Sequence, residues 1–369
     1  MKISVTKDDL TAGLQIVQNV IGTRSTLPIL SNVLLVAGEK KLELRATDLE
    51  ASIHATVEAE VEREGATSLP AKRLFGLIRE IESPQVEIEV NDKEIAKVKA
   101  GAAEYKLHGI GADEYPQQAK FKESGKIKIG QGNFKEMIRK TAYAVSTDES
   151  RHVLNGINIV MNPEKITLVA TDGRRLALVE EEVEGGKKGE IIVPNKAVGE
   201  LQRLLQGEGE IEIGIGETHV EFRLPQERGG DVKLHSKLVE GSYPNYKQVI
   251  PKTAETMQRI SLGKEELNHA LRRADQITSD KANSVKLKFS ENNLTITANT
   301  PDIGSGHESI AIKYGGPEIE VAFNPTYLMD PLKVLEGDEI YLEITDSLSP
   351  GVIKSNAPFL YVIMPMRTN

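Results

Sequence analysis

The sequence contains no cysteine and no tryptophan, and aromatic residues make up only 4% of its 369 positions. Without cysteine the chain has no disulfide framework, no thiolate metal site and no cysteine nucleophile. No apolar run approaches the roughly 18 residues that a membrane-spanning helix requires. The N-terminal segment MKISVTKDDL also lacks the apolar region of a signal peptide. We therefore expect a cytoplasmic protein that does not associate with membranes.

Signatures of catalysis and of cofactor binding are equally scarce. The seven histidines are scattered without an HExxH pair, and no GxxxxGK[ST] phosphate-binding loop occurs. The GIG fragments at 109–111 and 214–216 are better explained as glycines at strand ends than as nucleotide-binding loops. We expect no metal ion, no cofactor and no catalytic residue.

What the sequence does contain is a threefold repeat of strand patterns. Three segments alternate apolar and polar residues, which predicts half-buried strands, and they lie 124 and 128 residues apart. A second set of alternating segments recurs 125 and 129 residues apart. The two sets are KLELRAT (41–47), KITLVAT (165–171) and NLTITAN (293–299), and VEIEV (86–90), IEIGI (211–215) and IYLEI (340–344).

Helical patterns recur in the same register. Each copy opens with a short strand and an amphipathic helix, and a second helix follows in mid-repeat, at 69–81, 193–206 and 323–337. The apolar stripes of the first helices are Leu10, Leu14, Val17 and Ile21; Phe134, Ile138, Thr141 and Val145; and Leu267, Leu271, Ala274 and Ile277. Three unrelated domains of similar size would not share all of these registers, so a repeat is favoured.

Each copy therefore predicts the order β-α-β-β-β followed by α-β-β-β. The expected fold class is α+β, with two helices packed against antiparallel sheets in each of three repeated domains. We place the domains at 1–122, 123–254 and 255–369. The terminal apolar run FLYVIM (359–364) is too short to cross a membrane and predicts a buried strand.

Charge is distributed unevenly between helices and the rest of the chain. The chain carries a formal charge of −9, whereas the six predicted helical segments together carry +2, which leaves −11 for the remainder. Such a split is compatible with ordinary solvated helices. It is equally compatible with a helical face directed at phosphates and an acidic exterior that limits nonspecific association.

Seven short motifs stand out along the chain: LPIL (27–30), ATDLE (46–50), HVLNG (152–156), ATDGRRLA (170–177), SYPNY (242–246), FNPTYLMD (323–330) and YVIMPMR (361–367). Together with the threefold repeat they resemble the bacterial sliding clamp family, the beta subunit of DNA polymerase III. The resemblance covers the whole chain in order. It implies a head-to-tail homodimer in which six domains form a ring, with the helices inside and the sheets outside.

The resemblance also implies a pocket for short peptides from the replicative polymerase, the clamp loader, other polymerases and repair proteins. Methionine and valine suit an adaptable apolar slot, and Arg175 is expected to hold a guest carboxylate or carbonyl. Arg174 stands where the family often has histidine, and Gln248 where some members have arginine, which leaves the peptide preference open. The implied pocket residues are Leu154, Thr171, Gly173, Arg174, Arg175, Leu176, Pro244, Val249, Asn324, Tyr327, Val362, Met364, Pro365 and Met366.

Contacts to duplex DNA, independent of its sequence, are implied for two groups of residues. The resemblance suggests Arg24, Lys72 and the loop Asp148, Glu149, Arg151, His152 and Val153. The helical charge pattern adds Lys135, Arg139, Lys196 and Arg203. Gln276 and Ile277 fall where the family places its dimer interface.

Two other classes of function stay open on the sequence alone. A repeat-built enzyme would have a site between domains and would show turnover, but no polar residues stand out as its catalytic groups. A structural or carrier repeat protein would show neither retention on DNA nor binding of a Gln-x-x-Leu-Phe-like peptide. Measuring peptide binding separates these alternatives from a processivity clamp.

Overall fold

The structure is a computed structural model, and its backbone forms two compact units. The first unit comprises Met1–Lys135, Val183–Lys187 and Lys196–Leu238, and the second comprises Glu136–Glu182, Lys188–Asn195 and Val239–Asn369, so far as these segments are described. None of the helices in the described residues is long and apolar enough to cross a membrane. The residues described are 1–22, 27–118, 121–184, 188–225, 230–252, 256–279 and 283–367.

The same order of elements recurs three times along the chain. The first copy contains β1 (Lys2–Thr6), α1 (Lys7–Val17), β2 (Asn32–Gly38), β3 (Lys41–Thr47), β4 (Ala51–Glu58), β5 (Glu60–Arg63), β6 (Gly65–Pro70), α2 (Ala71–Glu80), β7 (Gln85–Val90), β8 (Ile95–Ala100), β9 (Ala103–His108) and β10 (Ile110–Gly111). The second contains β11 (Gly125–Gly130), α3 (Gln131–Thr141), β12 (Gly156–Met161), β13 (Lys165–Thr171), β14 (Arg175–Glu182), β15 (Gly189–Pro194), α4 (Asn195–Leu204), β16 (Glu210–Ile215), β17 (His219–Pro225) and β18 (Asp231–Lys237). The third contains β19 (Gln258–Gly263), α5 (Lys264–Asp275), β20 (Val285–Ser290), β21 (Asn293–Thr300), β22 (Gly304–Ala311), β23 (Ile319–Phe323), α6 (Pro325–Val334), β24 (Glu339–Ile344), β25 (Gly351–Lys354) and β26 (Phe359–Ile363).

Each copy has a strand that the sequence did not predict, immediately before its second helix. These strands are β6, β15 and β23, and the first copy also gains β5. In β6 the polar residues Thr67 and Ser68 are fully buried, so apolar and polar side chains do not alternate. The hydroxyl of Ser68 donates a hydrogen bond to the carbonyl of Ile110 at 2.9 Å. The prediction of three strands between the helices was therefore wrong. In β6 the buried hydrogen-bonded polar residues look like a loop in sequence, whereas β15 and β23 are short, mostly apolar segments that do not alternate.

The first helix of each copy also ends earlier than its apolar stripe suggested. α1 ends at Val17 and α3 at Thr141, and a 3-10 turn follows each of them. Ile21 and Val145 lie beyond these turns but remain buried. α5 likewise ends two residues before Ile277.

The sheets are antiparallel, and two of them join consecutive copies of the repeat. In the first unit a five-stranded sheet has the order β5-β1-β7-β8-β9, and a nine-stranded sheet has the order β10-β6-β2-β3-β4-β18-β17-β16-β11. In the second unit an eight-stranded sheet has the order β15-β12-β13-β14-β26-β25-β24-β19, and a four-stranded sheet has the order β22-β21-β20-β23. β4 pairs with β18 and β14 pairs with β26, and we call these two junctions the β4–β18 seam and the β14–β26 seam.

Helices cover the sheets with one apolar face each. In α1 the residues Leu10, Leu14 and Val17 are completely buried. Gly13 on the same face approaches β3 so closely that a Cβ atom would lie 2.6 Å from Leu44 Cδ1. A side chain at residue 13 would require Leu44 and Val57 to shift, so glycine allows the helix to pack at this distance. One cavity lies beside the turn that precedes β4, and another lies beside the turn that precedes β14.

Candidate functional site

An apolar cavity of about 170 Å³ lies beside the β14–β26 seam, wholly within the second unit. Its lining comes from the end of β13, the turn before β14, the SYPNY segment and the C-terminal strand. Ten of the predicted pocket residues line this apolar cavity, together with Asn245 and Tyr246. The ten are Leu154, Thr171, Gly173, Arg174, Arg175, Leu176, Pro244, Val249, Val362 and Met364.

The turn Thr171–Arg175 forms one side of the apolar cavity and is fixed by its own side chains. Asp172 Oδ1 accepts hydrogen bonds from the backbone N–H groups of Arg174 at 2.9 Å and Arg175 at 3.0 Å. Thr171 Oγ1 accepts from the N–H of Gly173 and donates to the carbonyl of Arg175. Gly173 has a φ of +84°, a conformation that residues with a side chain rarely adopt. The sequence TDGR thus specifies a rigid turn that holds Arg174 exposed at the rim.

The C-terminal segment forms the opposite wall. After β26, the N–H of Met364 donates to the carbonyl of Arg174 at 2.9 Å, and the N–H of Met366 donates to the carbonyl of Ala322 at 2.7 Å. These bonds fix the backbone, while both methionine side chains remain partly exposed to solvent, Met364 by 40% and Met366 by 38%. The prediction of a buried terminal strand holds for Phe359–Ile363. Residues 364–367, which follow β26, form neither helix nor strand.

Beneath the opening, the floor is continuous with the hydrophobic core of the second unit. Its buried cluster consists of Leu154, Val169, Leu176, Ile192, Tyr243 and Val362. At the rim, the aliphatic side chain of Val249 is 46% exposed. A guest apolar side chain entering here would extend that core.

Arg175 lines the apolar cavity and is also bonded inside the protein. Its Nη1 donates to Asp330 Oδ2 at 2.5 Å, its Nε to Asp172 Oδ2 at 3.1 Å and its Nη2 to the carbonyl of Tyr143 at 2.6 Å. Its Cζ lies 4.4 Å from the ring centroid of Tyr327. Burial alone would lower the pKa of Arg175, but Tyr361, Asp330 and Asp172 raise it, so this cation is permanent. These bonds connect the start of β14 to α6 and to the backbone at Tyr143.

Four predicted pocket residues do not line the apolar cavity. Asn324 caps α6 by accepting a hydrogen bond from the N–H of Tyr327, and the Tyr327 ring packs on the Arg175 guanidinium. Pro365 and Met366 lie further along the C-terminal segment. Conversely, Asn245 was not predicted, although the aromatic SYPNY motif pointed to its neighbourhood and to Tyr246.

Most of the helical cations predicted to face DNA are engaged within the protein. Arg139 forms an ion pair with Glu136 at 2.6 Å, and Arg203 forms one with Glu200 at 2.6 Å. Lys196 forms an ion pair with Asp48, and Lys135 donates to the carbonyl of Leu205 at 2.9 Å. Lys72 differs, because it is exposed at the start of α2 and forms no ion pair with any described residue. Arg24 lies outside the described residues.

The loop 148–153 is braced against the pocket turn. Asp148 accepts from the N–H of Ser150 and pairs with Arg151 at 3.1 Å. Arg151 Nη1 also donates to the carbonyl of Asp172 at 2.9 Å. Val153 packs against the buried cluster of the pocket floor, while residues 148–152 are all exposed. All of this loop except Val153 is therefore presented to solvent.

The two residues predicted at the dimer interface follow α5 directly. Gln276 is the C-terminal cap of α5 and is exposed. Ile277 is half-buried, and a Cβ atom added to Gly306 would lie 3.6 Å from Ile277 Cγ1.

Comparison with known proteins gives matches along the whole chain. Models of the N-terminal, central and C-terminal domains of the DNA polymerase III beta subunit match residues 1–119, 128–245 and 247–367 respectively. The beta sliding clamps of Chlamydia muridarum and of Escherichia coli K12 are each 32% identical to the chain. These alignments cover 100% of the chain and 99% and 100% of the two relatives. A crystal structure of the DNA polymerase III subunit beta from Pseudomonas aeruginosa superposes with a TM-score of 0.94 at 30% identity, over 100% of both chains.

Proposed function

The chain belongs to the family of the DNA polymerase III beta subunit, the bacterial beta sliding clamps, and we propose that it tethers its partners through the apolar cavity at the β14–β26 seam. It is a DNA sliding clamp for the replicative polymerase and consists of three clamp domains. Sliding clamps are processivity factors and not enzymes, which removes the alternative of a repeat-built enzyme. The resemblance inferred from the sequence motifs is confirmed.

The observation that carries the peptide proposal is the combination of a packed apolar floor with exposed apolar rims. Met364 and Val249 are 40% and 46% exposed beside a cluster that is almost fully buried. Each leucine or phenylalanine side chain of a guest that becomes buried there contributes about 1.5–3 kcal/mol. After the cost of ordering a flexible peptide, two such anchors give an affinity of about 1 μM, which suits partners that exchange.

Titration of a fluorescent Gln-Ser-Ser-Leu-Phe peptide tests this proposal. We expect Met364→Ala to weaken binding about tenfold, because the exposed thioether would be covered by the guest. Leu348→Ala is the matched control, since Leu348 is 73% exposed in the turn between β24 and β25 and does not line the cavity. Absence of binding to the unaltered protein, or equal binding by the two variants, contradicts the proposal.

Duplex DNA contacts are proposed for the exposed cation Lys72 and for the exposed part of the loop 148–153. The internally paired Arg139, Arg203 and Lys196 contribute less, because each already has a carboxylate partner. A plot of log affinity against log salt concentration has a negative slope. Lys72→Ala should reduce the magnitude of that slope by about one unit, and Arg203→Ala should reduce it by much less. Equal effects of the two substitutions would count against this assignment.

We further propose that two chains close head to tail into a ring, with Gln276 and Ile277 in the interface, and that the ring works in the cytoplasm. The domain boundaries proposed are 1–122, 123–254 and 255–369. Light scattering should give twice the 40.5 kDa mass of one chain at micromolar concentration. A loaded ring should leave linear DNA quickly and a nicked circle slowly; equal rates of loss would contradict topological retention.

A further inference from the structure

A second cavity, of about 450 Å³, lies at the β4–β18 seam, wholly within the first unit. We call it the polar cavity. The β4–β18 seam joins the first copy of the repeat to the second, just as the β14–β26 seam joins the second copy to the third. The polar cavity therefore lies at the junction of the first and second copies, and the apolar cavity lies at the equivalent junction of the second and third copies.

The turns that border the two cavities have the same hydrogen-bond pattern. Asp48 Oδ1 accepts from the N–H groups of Glu50 at 3.0 Å and Ala51 at 2.7 Å, as Asp172 does in the other turn. Thr47 Oγ1 accepts from the N–H of Leu49 and donates to the carbonyl of Ala51, as Thr171 does for its own neighbours. The backbone that frames a groove is thus preserved while the side chains differ.

The polar cavity is lined by hydrogen-bonding groups that lack partners. His235 is only 5% exposed, and neither of its ring nitrogens has a hydrogen-bond partner in the structure. Its Nδ1 lies 3.8 Å from Glu221 Oε2, which is too long for a hydrogen bond but close enough for electrostatic attraction to that carboxylate. Ser52 is 8% exposed, and its hydroxyl is likewise without a partner. Buried polar groups of this kind are costly unless a ligand or solvent satisfies them.

The lining also contains the cations Lys237 and Arg45 and three histidines, of which His219 has a pKa lowered by burial and by the neighbouring His235 and Lys237. His219 stacks on His235 with 5.0 Å between ring centroids, and Lys237 is exposed without an ion pair to any described residue. Arg45 donates through Nη2 to Glu43, but its buried Nε has no partner. Glu50 is the only carboxylate among the described lining residues. No group of three or more metal-ligating side chains occurs among the residues that the structure describes, so the histidines do not form a recognisable metal site.

We propose that the polar cavity is a second peptide-binding site of this protein, which takes an extended segment carrying glutamate or aspartate side chains. Lys237 is the exposed donor for the guest carboxylates, and His219 and the buried, unpartnered groups of Ser52, His235 and Arg45 lie in the same lining. Leu49, which is 48% exposed at the rim, offers apolar contact to the neighbouring guest residue. The same backbone turn would then form two binding sites with different preferences. The site at the β14–β26 seam would bind apolar side chains of a guest peptide, and the site at the β4–β18 seam would bind acidic ones.

Nuclear magnetic resonance of the histidine rings in the full-length protein tests this proposal directly. With seven histidines in the chain, the ¹H–¹⁵N spectrum of the imidazoles is sparse. The probe is acetyl-Glu-Leu-Glu-Glu-amide, and acetyl-Gln-Leu-Gln-Gln-amide is its uncharged control. We expect the ring resonances of His235 and His219 to shift with the acidic peptide and not with the control. Absence of a shift, or equal shifts with both peptides, overturns the proposal.

Two variants separate this site from the apolar cavity. Lys237→Gln, at an exposed position where folding should be unaffected, is expected to weaken binding of the acidic peptide about fivefold. Met364→Ala should leave that binding unchanged, although it weakens binding of the Gln-Ser-Ser-Leu-Phe peptide. If Met364→Ala abolishes the histidine shifts while Lys237→Gln does not alter them, the acidic peptide occupies the apolar cavity and the second site does not exist.

Discussion

The phenol of Tyr361 donates a hydrogen bond to the backbone carbonyl of Tyr327, with 2.8 Å between the two oxygens. Tyr327 lies in α6, four residues before Pro331, which has no N–H to close the helical hydrogen bond. Tyr361, fully buried in β26, therefore supplies the donor that the helix lacks. The proline in α6 and the terminal strand beside the apolar cavity are coupled through this bond.

The two positions should consequently show energetic coupling. Tyr361→Phe is expected to lower the free energy of unfolding by about 1–2 kcal/mol, because it leaves the Tyr327 carbonyl without a partner. In a Pro331→Ala background the same change should cost less, since residue 331 then carries an N–H for that carbonyl. Urea denaturation of the four proteins measures the coupling, and an identical cost in both backgrounds would show that the proline is irrelevant to this bond.

Replacing one partner of the Arg175 ion pairs should destabilise the protein. Asp330→Asn is expected to cost about 2 kcal/mol, because Arg175 is only 11% exposed and keeps Asp172 as its remaining counter-ion. Lys333→Ala provides the control: Lys333 also pairs with Asp330, but it is 59% exposed and should contribute less than about 1 kcal/mol. Chemical denaturation of both variants checks the difference, and equal losses would mean that burial does not set the strength of these pairs.

The turns before β14 and β4 each contain one residue in the left-handed conformation, and we expect substitutions of these two residues to have different effects on stability. Gly173 and Leu49 have φ values of +84° and +79°. Gly173→Ala should therefore destabilise by about 1 kcal/mol, whereas Leu49→Gly should not destabilise, because relief of backbone strain offsets the greater freedom of glycine in the unfolded chain. Thermal unfolding of both variants is the measurement. A clear loss of stability in Leu49→Gly would show that its side chain outweighs the strain.

Acid sensitivity is expected from Glu221, which lies behind the polar cavity. Its neighbours His235 and Arg223 lower its pKa to about 2, against the opposing effect of burial. A carboxyl group whose folded pKa lies below the unfolded value stabilises the protein at neutral pH. That contribution is lost as the pH falls from about 4.5 towards 2.

Glu221→Gln should remove this part of the pH dependence. We expect the variant to be less stable at pH 7 by an amount on the order of a few kcal/mol, and to lose less stability between pH 5 and pH 2 than the unaltered protein. Glu208→Gln, at an exposed position, is the control. Denaturant midpoints measured across this pH range decide the matter, and parallel curves for all three proteins would contradict the expectation.

Local patterns in the sequence determined the repeat, the fold class and the elements with strict periodicity. Alternation identified β3 and β21 at their correct positions, because a strand with one buried face must repeat every two residues. The position of β13 was also correct, although the structure buries both of its faces. The same patterns failed at β6, where Thr67 and Ser68 are buried and satisfied by bonds to distant residues. Motif resemblance named most of the lining of the apolar cavity before any geometry was known.

Tertiary structure alone decided which charged side chains are available. Arg174 and Arg175 are adjacent in sequence, yet Arg174 is exposed, whereas Arg175 is bonded to Asp172, Asp330 and the carbonyl of Tyr143. The folded chain brings the distant Asp330 and Tyr143 to Arg175 and not to Arg174. The polar cavity was also invisible in the sequence. His235 and Ser52 become neighbours only through the pairing of β4 with β18, and a sequence does not state which distant strand edges meet.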